Sequence, residues 1–512
     1  MELVKYFIYP NTYRDSVALM QINKIITSSK GITEAFVGMG TDYNKEILER
    51  QNLLSPPLKE VTPYDLIMVI KGEKEEDIDG AQASAIAFLS NRESTDAEEY
   101  LPVSQEAALK VLPEANLVLI STPGDYAAWE GEKALNYNMN VMMFSDNVLL
   151  KDEIRLKEKA RRKGILFMGP DCGTAIISGV PLGFANVIPR GNIGIVAASG
   201  TGLQEVSSLI ATLGGGISQG IGTGGRDLSL EVGAVTMLMG MEALAEDRET
   251  EVLVLLSKPP AKNIMSKVLS LAKKIPLPVV INFIGFTRDS YREDNLYFEP
   301  TFKHTALRAL SLAYDKDYEG LKEQLPKPLL PAFRKRRSDK VYLRGLYSGG
   351  SLCSEAIVLL NNYLGEIYSN VHISGCTLPL SPPYESIKHT ILDLGDDYFT
   401  RGRPHPMIDF SLRCKLLWEE AQQLEVGVIL LDVVLGYGAA PEPAEELKDV
   451  LSTISTLPSP PYVIISLCGT EEDPQKFSIQ KEKLEDMGAL VCNSNVDAVE
   501  LAAQIVLTLR EN

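Results

Sequence analysis

The sequence predicts an α/β protein made of three doubly wound parallel-sheet domains. Short apolar runs alternate with longer amphipathic segments along the whole chain, as in parallel sheets whose strands are joined by helices. The chain has 512 residues, a length typical of several domains. Apolar residues make up 45% of the chain, which is enough for several hydrophobic cores.

We expect the first domain to cover residues 1–186. Amphipathic segments such as Asp15–Ser29 and Asp77–Asn91 predict helices between its strands. The strand candidates are apolar runs bounded by turn residues: Val4–Tyr9, Ile32–Met39, Asp65–Lys71, Asn116–Ser121, Asn140–Ser145 and Gly164–Met168.

The second domain is expected at residues 187–325 and the third at residues 341–512. Residues 326–340 between them are rich in proline and then basic, which is typical of a solvated linker. A closing helix is predicted over Val496–Arg510. The strand candidates are Gly194–Ala198, Ile217–Gly222, Glu251–Ser257 and Pro278–Phe283 in the second domain, and Tyr342–Tyr347, Thr390–Leu394, Val426–Leu435, Tyr462–Leu467 and Leu490–Asn493 in the third.

Composition excludes several classes of function. With 50 basic and 68 acidic residues, the net charge of −18 argues against a nucleic-acid-binding protein and against one held on an anionic membrane. The six cysteines show no C-x-x-C spacing and there are only four histidines, so we expect neither a disulfide framework nor a metal site. No secretory segment or apolar membrane span is evident, and we expect a cytoplasmic protein.

One short motif occurs twice. An apolar run passes into a helix through Gly-[Ser/Thr]-x-x-x-Glu, first at Gly200-Thr201 and again at Gly350-Ser351. Such a turn directs unpaired amides and the positive end of a helix dipole at one point, which favours an anion. The alternative is simple capping, since Thr201 and Gln204 match a capping box. The duplication favours a shared phosphate site formed by Ser199, Gly200, Thr201, Gly349, Gly350 and Ser351.

Each exposed helix end contributes only ~0.3–1 kcal/mol, so phosphate binding also needs a cation. The loop with Gly224, Gly225 and Arg226 is one candidate source, and tight turns with solvated charges are the alternative. Arginine is suited to the role because its planar fork takes two oxygens of phosphate or carboxylate.

A second loop, Asp396–His405, carries three cations and two acids. We expect Arg401 and Arg403 to bind phosphate or a substrate carboxylate there, and His405 to act as a general acid or phosphate ligand. A hydrogen-bonded structural role is the alternative for His405. Lys258 could also bring an ammonium group near the site, or lie in an exposed loop.

Several stretches resemble known ligases. Gly169-Pro-Asp-Cys-Gly, Gly194-Ile-Val-Ala-Ala-Ser-Gly-Thr and Gly220-Ile-Gly-Thr-Gly-Gly resemble the α subunit of succinyl-CoA synthetase. Leu392-Asp-Leu-Gly and Val426-Gly-Val-Ile-Leu-Leu-Asp resemble the carboxy-terminal domain of its β subunit. The order of these regions, with Tyr347-Ser-Gly-Gly-Ser-Leu-Cys, Gly402-Arg-Pro-His-Pro-Met-Ile-Asp and Leu431-Asp-Val-Val-Leu-Gly-Tyr-Gly, resembles the FdrA family of acyl-CoA-synthetase-like proteins.

The resemblance implies a Rossmann-like CoA-binding-type domain followed by two flavodoxin-like succinyl-CoA-synthetase-type ligase domains. It also implies a subunit of oxamate carbamoyltransferase, which acts with other subunits in allantoin breakdown. That reaction converts oxalurate and phosphate into oxamate and carbamoyl phosphate, so phosphate would be a substrate.

The sequence departs from the synthetases at three places. The segment Asn282–Ser290, where the family's phosphorylated histidine is expected, has no histidine. No ATP-grasp region or Walker A motif is present, and Tyr9–Ser16 replaces the glycine-rich loop for CoA phosphate. We therefore expect no phosphohistidine relay within this chain and leave CoA binding open. The alternatives are an acyl-CoA ligase or CoA-transfer component with a separate nucleotide-binding partner, and a non-catalytic scaffold.

Overall fold

The computed structural model describes residues 3–14, 16–50, 53–91, 102–325, 340–382, 384–401 and 403–511. The predicted linker lies outside the described residues, apart from Lys340. Contacts divide the chain into two compact units. Unit 1 comprises Met1–Ala115, Ser121–Pro123 and Asp396–Asp409, and unit 2 comprises Asn116–Ile120, Gly124–Gly395 and Phe410–Asn512.

Unit 1 contains a three-stranded antiparallel sheet in the order β1-β3-β2. One face of this sheet packs on α1 and α4, and the other packs on residues of α2 and α3. The elements up to residue 115 are β1 (Leu3–Tyr9), α1 (Ser16–Thr27), β2 (Ile32–Met39), α2 (Asp42–Arg50), α3 (Pro56–Lys59), β3 (Leu66–Gly72), α4 (Glu75–Asn91) and α5 (Gln105–Val111).

A separate parallel sheet in the order β4-β5-β6 opens unit 2. Its elements are β4 (Leu117–Ile120), α6 (Gly124–Asn136), β5 (Asn140–Met143), α7 (Leu150–Lys163) and β6 (Phe167–Met168). The expectation of one parallel, Rossmann-like sheet across residues 1–186 is therefore corrected. Because helices cover both faces of the first sheet, its central strand β3 is a continuous apolar run like a strand of a parallel sheet.

The next sheet has eight strands in the order β13-β14-β12-β11-β9-β10-β7-β8. Strands β9 to β12 and β14 pair in parallel, while β7, β8 and β13 form antiparallel edges. The elements are β7 (Thr174–Ile177), β8 (Val180–Gly183), β9 (Arg190–Ala198), α8 (Gly200–Thr212), β10 (Ile217–Gly222), α9 (Val235–Glu246), β11 (Val252–Ser257), α10 (Lys262–Ala272), β12 (Val279–Phe283), β13 (Tyr291–Glu293), β14 (Leu296–Phe298), α11 (Phe302–Ala313) and α12 (Tyr318–Gln324).

The last sheet has seven parallel strands in the order β17-β16-β18-β15-β19-β20-β21. The elements are β15 (Tyr342–Tyr347), α13 (Gly350–Leu364), β16 (Ile367–Ser369), β17 (Thr377–Pro379), β18 (Thr390–Asp393), α14 (Asp397–Thr400, in unit 1), α15 (Ser411–Ala421), β19 (Val426–Val434), α16 (Pro443–Ser455), β20 (Tyr462–Cys468), α17 (Phe477–Asp486), β21 (Leu490–Cys492) and α18 (Asn495–Glu511).

The predicted α/β class with mainly parallel sheets is confirmed. Each predicted strand overlaps an observed strand, and the closing helix is present as α18. The pairing of β7 with β10 carries the eight-stranded sheet across the boundary predicted after residue 186. The domain limits predicted at residues 1–186, 187–325 and 341–512 remain predictions. Within the described residues, no helix is long and apolar enough to cross a membrane.

Candidate functional site

The two repeated turns begin α8 and α13, and both lie in unit 2. Each follows a central strand of its sheet, β9 or β15. The turns are in contact, since a Cβ atom placed on Gly349 would lie 2.8 Å from Thr201 Cγ2. Glycine at position 349 is thus what allows the two helix starts to lie side by side. The structure brings together the predicted residues Ser199, Gly200, Thr201, Gly349, Gly350 and Ser351.

Ser199 is the capping residue of α8. Its Oγ accepts a hydrogen bond from the amide of Gly202 at 3.1 Å. The capping-box alternative for Thr201 and Gln204 is therefore wrong, because Gln204 instead donates to Asn186 Oδ1 at 3.1 Å. Among the described residues, the Thr201 hydroxyl makes no hydrogen bond. The start of α8 therefore keeps donors that capping does not use.

The turn before α13 already holds a carboxylate, that of Asp432. Oδ1 of Asp432 accepts from the amide of Ser348 at 2.7 Å and from its hydroxyl at 3.0 Å. Oδ2 accepts from the amide of Gly349 at 2.7 Å, and Asp432 is fully buried. An internal anion thus occupies the amides just before the helix, and the amides of Gly350 and Ser351 remain at the helix start. Asp432 lies in a stretch that resembles the ligases, but its place in the sequence does not indicate this role.

Arg413 accompanies Asp432 and was also missed. Its Nη2 donates to the backbone oxygen of Asp432 and lies 3.4 Å from Oδ1. Arg413 is 1% exposed, and this burial lowers the pKa of its guanidinium while the Asp432 carboxylate raises it. The pair therefore brings no net charge to the helix start. A single arginine inside α15 gives no sequence signal for such a role.

Lys258 and Asp393 lie at the first residue of α13. A Cβ atom on Gly350 would be 2.6 Å from Asp393 Oδ2 and 3.2 Å from Lys258 Nζ. Lys258 follows β11 and Asp393 ends β18, so both belong to carboxyl ends of parallel strands, where ligands collect. Burial raises the pKa of the nearby Cys353 thiol well above its ordinary value; Asp393 raises it further and Lys258 lowers it. The alternative that placed the Lys258 ammonium near the site agrees with the structure.

The predicted loop cation Arg226 has structural partners. Its Nε lies 2.8 Å from Glu153 Oε2, and its Nη2 donates to the backbone oxygen of Val148 at 2.8 Å. Gly224 has a positive φ of 83°, and a Cβ there would lie 2.1 Å from the Pro170 oxygen. These contacts explain Arg226 and Gly224 without a ligand. For Gly225, Gly224 and Arg226, phosphate binding stays a prediction.

Arg401, Arg403 and His405 belong to unit 1, whereas both helix starts belong to unit 2. Their segment is locally hydrogen-bonded: the Arg403 amide donates to the Thr400 oxygen at 3.0 Å, and the Met407 amide donates to His405 Nδ1 at 3.2 Å. The second bond is of the kind expected for a structural histidine. The catalytic roles of the three residues stay predictions.

The glutamates that end the two motifs bond the starts of two other helices. Glu205 Oε1 accepts from the Asn495 amide of α18 at 2.8 Å, and Glu355 Oε1 accepts from the Phe302 amide of α11 at 2.7 Å. The Asn495 side chain also donates to Glu355 Oε2 at 2.8 Å. Burial raises the pKa of Glu205 to about 8 and that of Glu355 to about 7. The repeated motif therefore has a structural function as well as a candidate binding function.

Two parts of the chain match sequence models of known families. Residues 346–505 match the family described as CoA-ligase. Residues 1–104 match the family described as AllF, heavy metal-associated domain.

Heavy metals are not a fit for the chain's first 104 residues. That stretch contains no cysteine to supply a thiolate and no histidine to supply an imidazole, the donors typical of sites for soft and borderline metals. The described residues also contain no group of three or more His, Cys, Asp or Glu side chains that could hold a metal ion.

CoA phosphates are a poor fit at the start of α6, the helix that follows β4. A Cβ atom on Gly124 would lie 2.4 Å from the Asp146 oxygen and 2.7 Å from the Asn147 oxygen. Asp125 places a further acid in the first turn. Oxygen atoms at this helix end would repel a phosphate.

Two solved structures that resemble this chain have low sequence identity and low TM-scores. PH0766 from Pyrococcus horikoshii OT3 is 16% identical, with a TM-score of 0.34 over 81% of this chain and 88% of that one. The dinucleotide-forming acetyl-coenzyme A synthetase 1 of Ca. Korarchaeum cryptofilum is 12% identical, with a TM-score of 0.33 over 77% of this chain and 83% of that one.

Sequence relatives are more informative. The succinate–CoA ligase [ADP-forming] subunit alpha 2 of Archaeoglobus fulgidus is 28% identical over 28% of this chain and 50% of the relative. The corresponding subunit alpha of Methanothermobacter thermautotrophicus is 26% identical over 31% of this chain and 56% of the relative. The match thus spans about half the length of each subunit. The uncharacterized protein YahF of Escherichia coli K12 is 40% identical over 98% of both chains. The chain therefore belongs to the same protein family as YahF.

Proposed function

We propose that the chain is the phosphate-binding component of an enzyme that transfers acyl-type groups, and that the adjacent starts of α8 and α13 hold the phosphate. The observation that carries this proposal is the contact between Thr201 and Gly349, which puts the two helix ends in one place. A single helix end would add little at an exposed site, whereas two ends act on the same anion.

Group transfer to phosphate requires hydrogen-bond donors at fixed positions more than it requires a covalent enzyme intermediate. The amides of Gly200, Thr201, Gly350 and Ser351 lie in the first turns of the two helices, where backbone donors lack intrahelical partners. Such donors can orient phosphate for attack on a carbonyl group and stabilise the charge that develops on its oxygen.

One candidate reaction is acid–thiol ligation or CoA transfer, with a separate partner that binds the nucleotide. The CoA-ligase match at residues 346–505 and the succinate–CoA ligase relatives support this class. In this case the phosphate site would hold the phosphoryl group of an activated acid.

A second candidate is the oxamate carbamoyltransferase reaction that the FdrA-like motifs imply. The observation that favours it is the segment Asn282–Ser290, which has no histidine to carry a phosphoryl group. Free phosphate would then attack oxalurate and release oxamate and carbamoyl phosphate. Other subunits would complete the enzyme, and we place it in the cytoplasm.

The test uses the full chain, alone and with candidate partner subunits encoded beside its gene. One assay supplies oxamate with carbamoyl phosphate and follows oxalurate; the other supplies a carboxylic acid, CoA and ATP and follows thioester. Oxalurate formation supports the carbamoyl reaction, and thioester formation supports the ligase reaction. If inorganic phosphate neither binds the chain nor enters either reaction, the proposed function is wrong.

A further inference from the structure

The start of α13 carries one positive and one negative side chain to which the phosphate proposal assigns no role. Lys258 Nζ and Asp393 Oδ2 lie 3.2 and 2.6 Å from the position of a Cβ atom on Gly350. An anion held by the helix start would meet both groups. Their combination therefore bears on which anion the site prefers.

Lys258 is placed to serve both helix ends. Ser257, the residue before it, pairs with Ala198 in the parallel register of β11 and β9, and Ala198 directly precedes the capping residue of α8. The lysine thus leaves the sheet beside one helix start, while its amine reaches the other. Among the described residues Lys258 makes no ion pair, whereas Arg226 is paired with Glu153. Lys258 is therefore the cation best placed for a bound phosphate.

Asp393 introduces a constraint that a general anion site would not have. The side chain is 8% exposed, its Oδ1 accepts from the Gly395 amide at 3.0 Å, and its Oδ2 lies near Gly350. An ionised carboxylate only accepts hydrogen bonds and repels other anions. Inorganic phosphate keeps a proton at neutral pH and can donate it in a hydrogen bond to a carboxylate. Sulfate has no proton to donate, so it would be repelled.

The other carboxylate at this place, that of Asp432, is held by the turn before α13. Asp432 accepts from the Ser348 amide, the Ser348 hydroxyl and the Gly349 amide, and it is paired with Arg413. Its charge is therefore compensated inside the protein. Asp393 is the carboxylate that directs an oxygen at the first residue of α13.

Two hydroxyl groups give an independent indication of a ligand. Thr201 and Ser351 are the second residues of α8 and α13, and neither hydroxyl has a hydrogen-bond partner among the described residues. Ser351 is 5% exposed, so most of this side chain is enclosed while its hydroxyl has no acceptor among the described residues. A phosphate at the paired helix ends would give both hydroxyls an acceptor.

We propose that Lys258 and Asp393 make the site selective for protonated phosphate over sulfate, with Lys258 neutralising the anion and Asp393 accepting its proton. This inference rests on the proposed function, because it concerns the same site. It identifies inorganic phosphate, which carries a proton, as the ligand class.

The experiment titrates the full chain with inorganic phosphate and with sulfate at neutral pH, by calorimetry and by the shift in melting temperature. We expect wild type to bind phosphate at least about tenfold more tightly than sulfate, which corresponds to about 1.4 kcal/mol. Asp393→Asn should bring the two affinities within about threefold, because the amide neither repels sulfate nor prefers a protonated anion. Asp393→Glu, which keeps the carboxylate, should retain part of the preference.

Lys258→Gln should weaken phosphate binding at least about tenfold. The matched control is Lys262→Gln, which removes an exposed lysine at the start of α10 and should leave both affinities unchanged. If Asp393→Asn fails to fold, the proposal is still tested by the ratio of phosphate to sulfate affinity in wild type. It is also tested by the phosphate affinity of Lys258→Gln, which changes an exposed residue.

Equal binding of phosphate and sulfate by wild type would overturn the selectivity while leaving the phosphate site intact. Unchanged phosphate affinity in Lys258→Gln would overturn the role of the lysine. If wild type bound neither anion, the proposed function itself would fail.

Discussion

Thr201 packs against Gly349 so closely that a Cβ atom at position 349 would lie 2.8 Å from the threonine methyl group. Through this contact the first turns of α8 and α13, which are separated by about 150 residues in the sequence, share one place in unit 2. The dipole ends and amides of both helices therefore act on the same region.

Asp432 is expected to be required for stability. Asp432→Asn would leave Arg413 as a buried charge without its carboxylate and would weaken acceptance from Ser348 and Gly349. Removing one partner of a buried pair costs about 3–5 kcal/mol. Denaturant unfolding should show that loss, while Asp449→Asn at an exposed position of α16 should change the unfolding free energy little. Equal stability of the two variants would contradict the role of Asp432.

Glu205 and Glu355 are expected to make the folded chain less stable as pH rises. Burial raises the pKa values of their carboxyl groups to about 8 and about 7, whereas an unfolded glutamate has a pKa of about 4.3. The contribution of these two carboxyl groups to the free energy of unfolding is complete below about pH 4 and is lost as pH rises through about 7–8. The reason is that the folded chain must then give up protons that the unfolded chain has already released.

The check is the melting temperature between about pH 5 and about pH 9, measured for wild type and for the double variant Glu205→Gln, Glu355→Gln. The variant should lose less stability over this range, since glutamine does not titrate. The same pH slope in both proteins would show that these carboxyl groups do not retain their protons in the folded state.

Arg226 is expected to support the fold. Arg226→Gln removes an ion pair to the fully buried Glu153 and should lower the unfolding free energy by about 1–3 kcal/mol. Phosphate affinity should stay within about twofold of wild type. A variant of normal stability with much weaker phosphate binding would instead support the role predicted from the sequence.

Arg403 and His405 are predicted to act in the reaction. If so, Arg403→Ala and His405→Ala should each lower turnover at least about tenfold in whichever assay proves productive. The matched control is Lys415→Ala, which removes an exposed lysine from α15. Turnover equal to that of the control would assign His405 to its hydrogen bond with the Met407 amide.

The sequence could predict the central strands because both faces of each strand are buried. Strand β19 is buried at every position and was predicted almost to its ends. Six short strands at or next to the sheet edges were not predicted, since three or four residues carry little periodic signal: β7, β8, β13, β14, β16 and β17. The antiparallel order of the first sheet could not be predicted either, because an apolar run does not encode strand direction.

The candidate site was predictable only where local sequence determines it. Glycine and hydroxyl residues after an apolar strand indicated both helix starts. Asp432 lies 84 residues beyond Ser348, and the Lys258 amine reaches a helix that starts far along the chain from it. These contacts depend on tertiary packing, so neither spacing nor composition could reveal them.

Phosphate binding by the adjacent starts of α8 and α13 can be measured by calorimetric titration of inorganic phosphate into wild type and Gly349→Val, with Gly173→Ala as the control. A Cβ on Gly173 would meet only Phe184 Cδ2, at 3.9 Å, whereas a Cβ on Gly349 would lie 2.8 Å from Thr201 Cγ2 and 3.0 Å from Asp432 Oδ2, so valine there would displace both side chains. We predict that wild type and the control bind phosphate and that Gly349→Val loses at least about tenfold in affinity while remaining folded. Equal phosphate affinity in all three proteins would show that phosphate does not bind at the adjacent starts of α8 and α13.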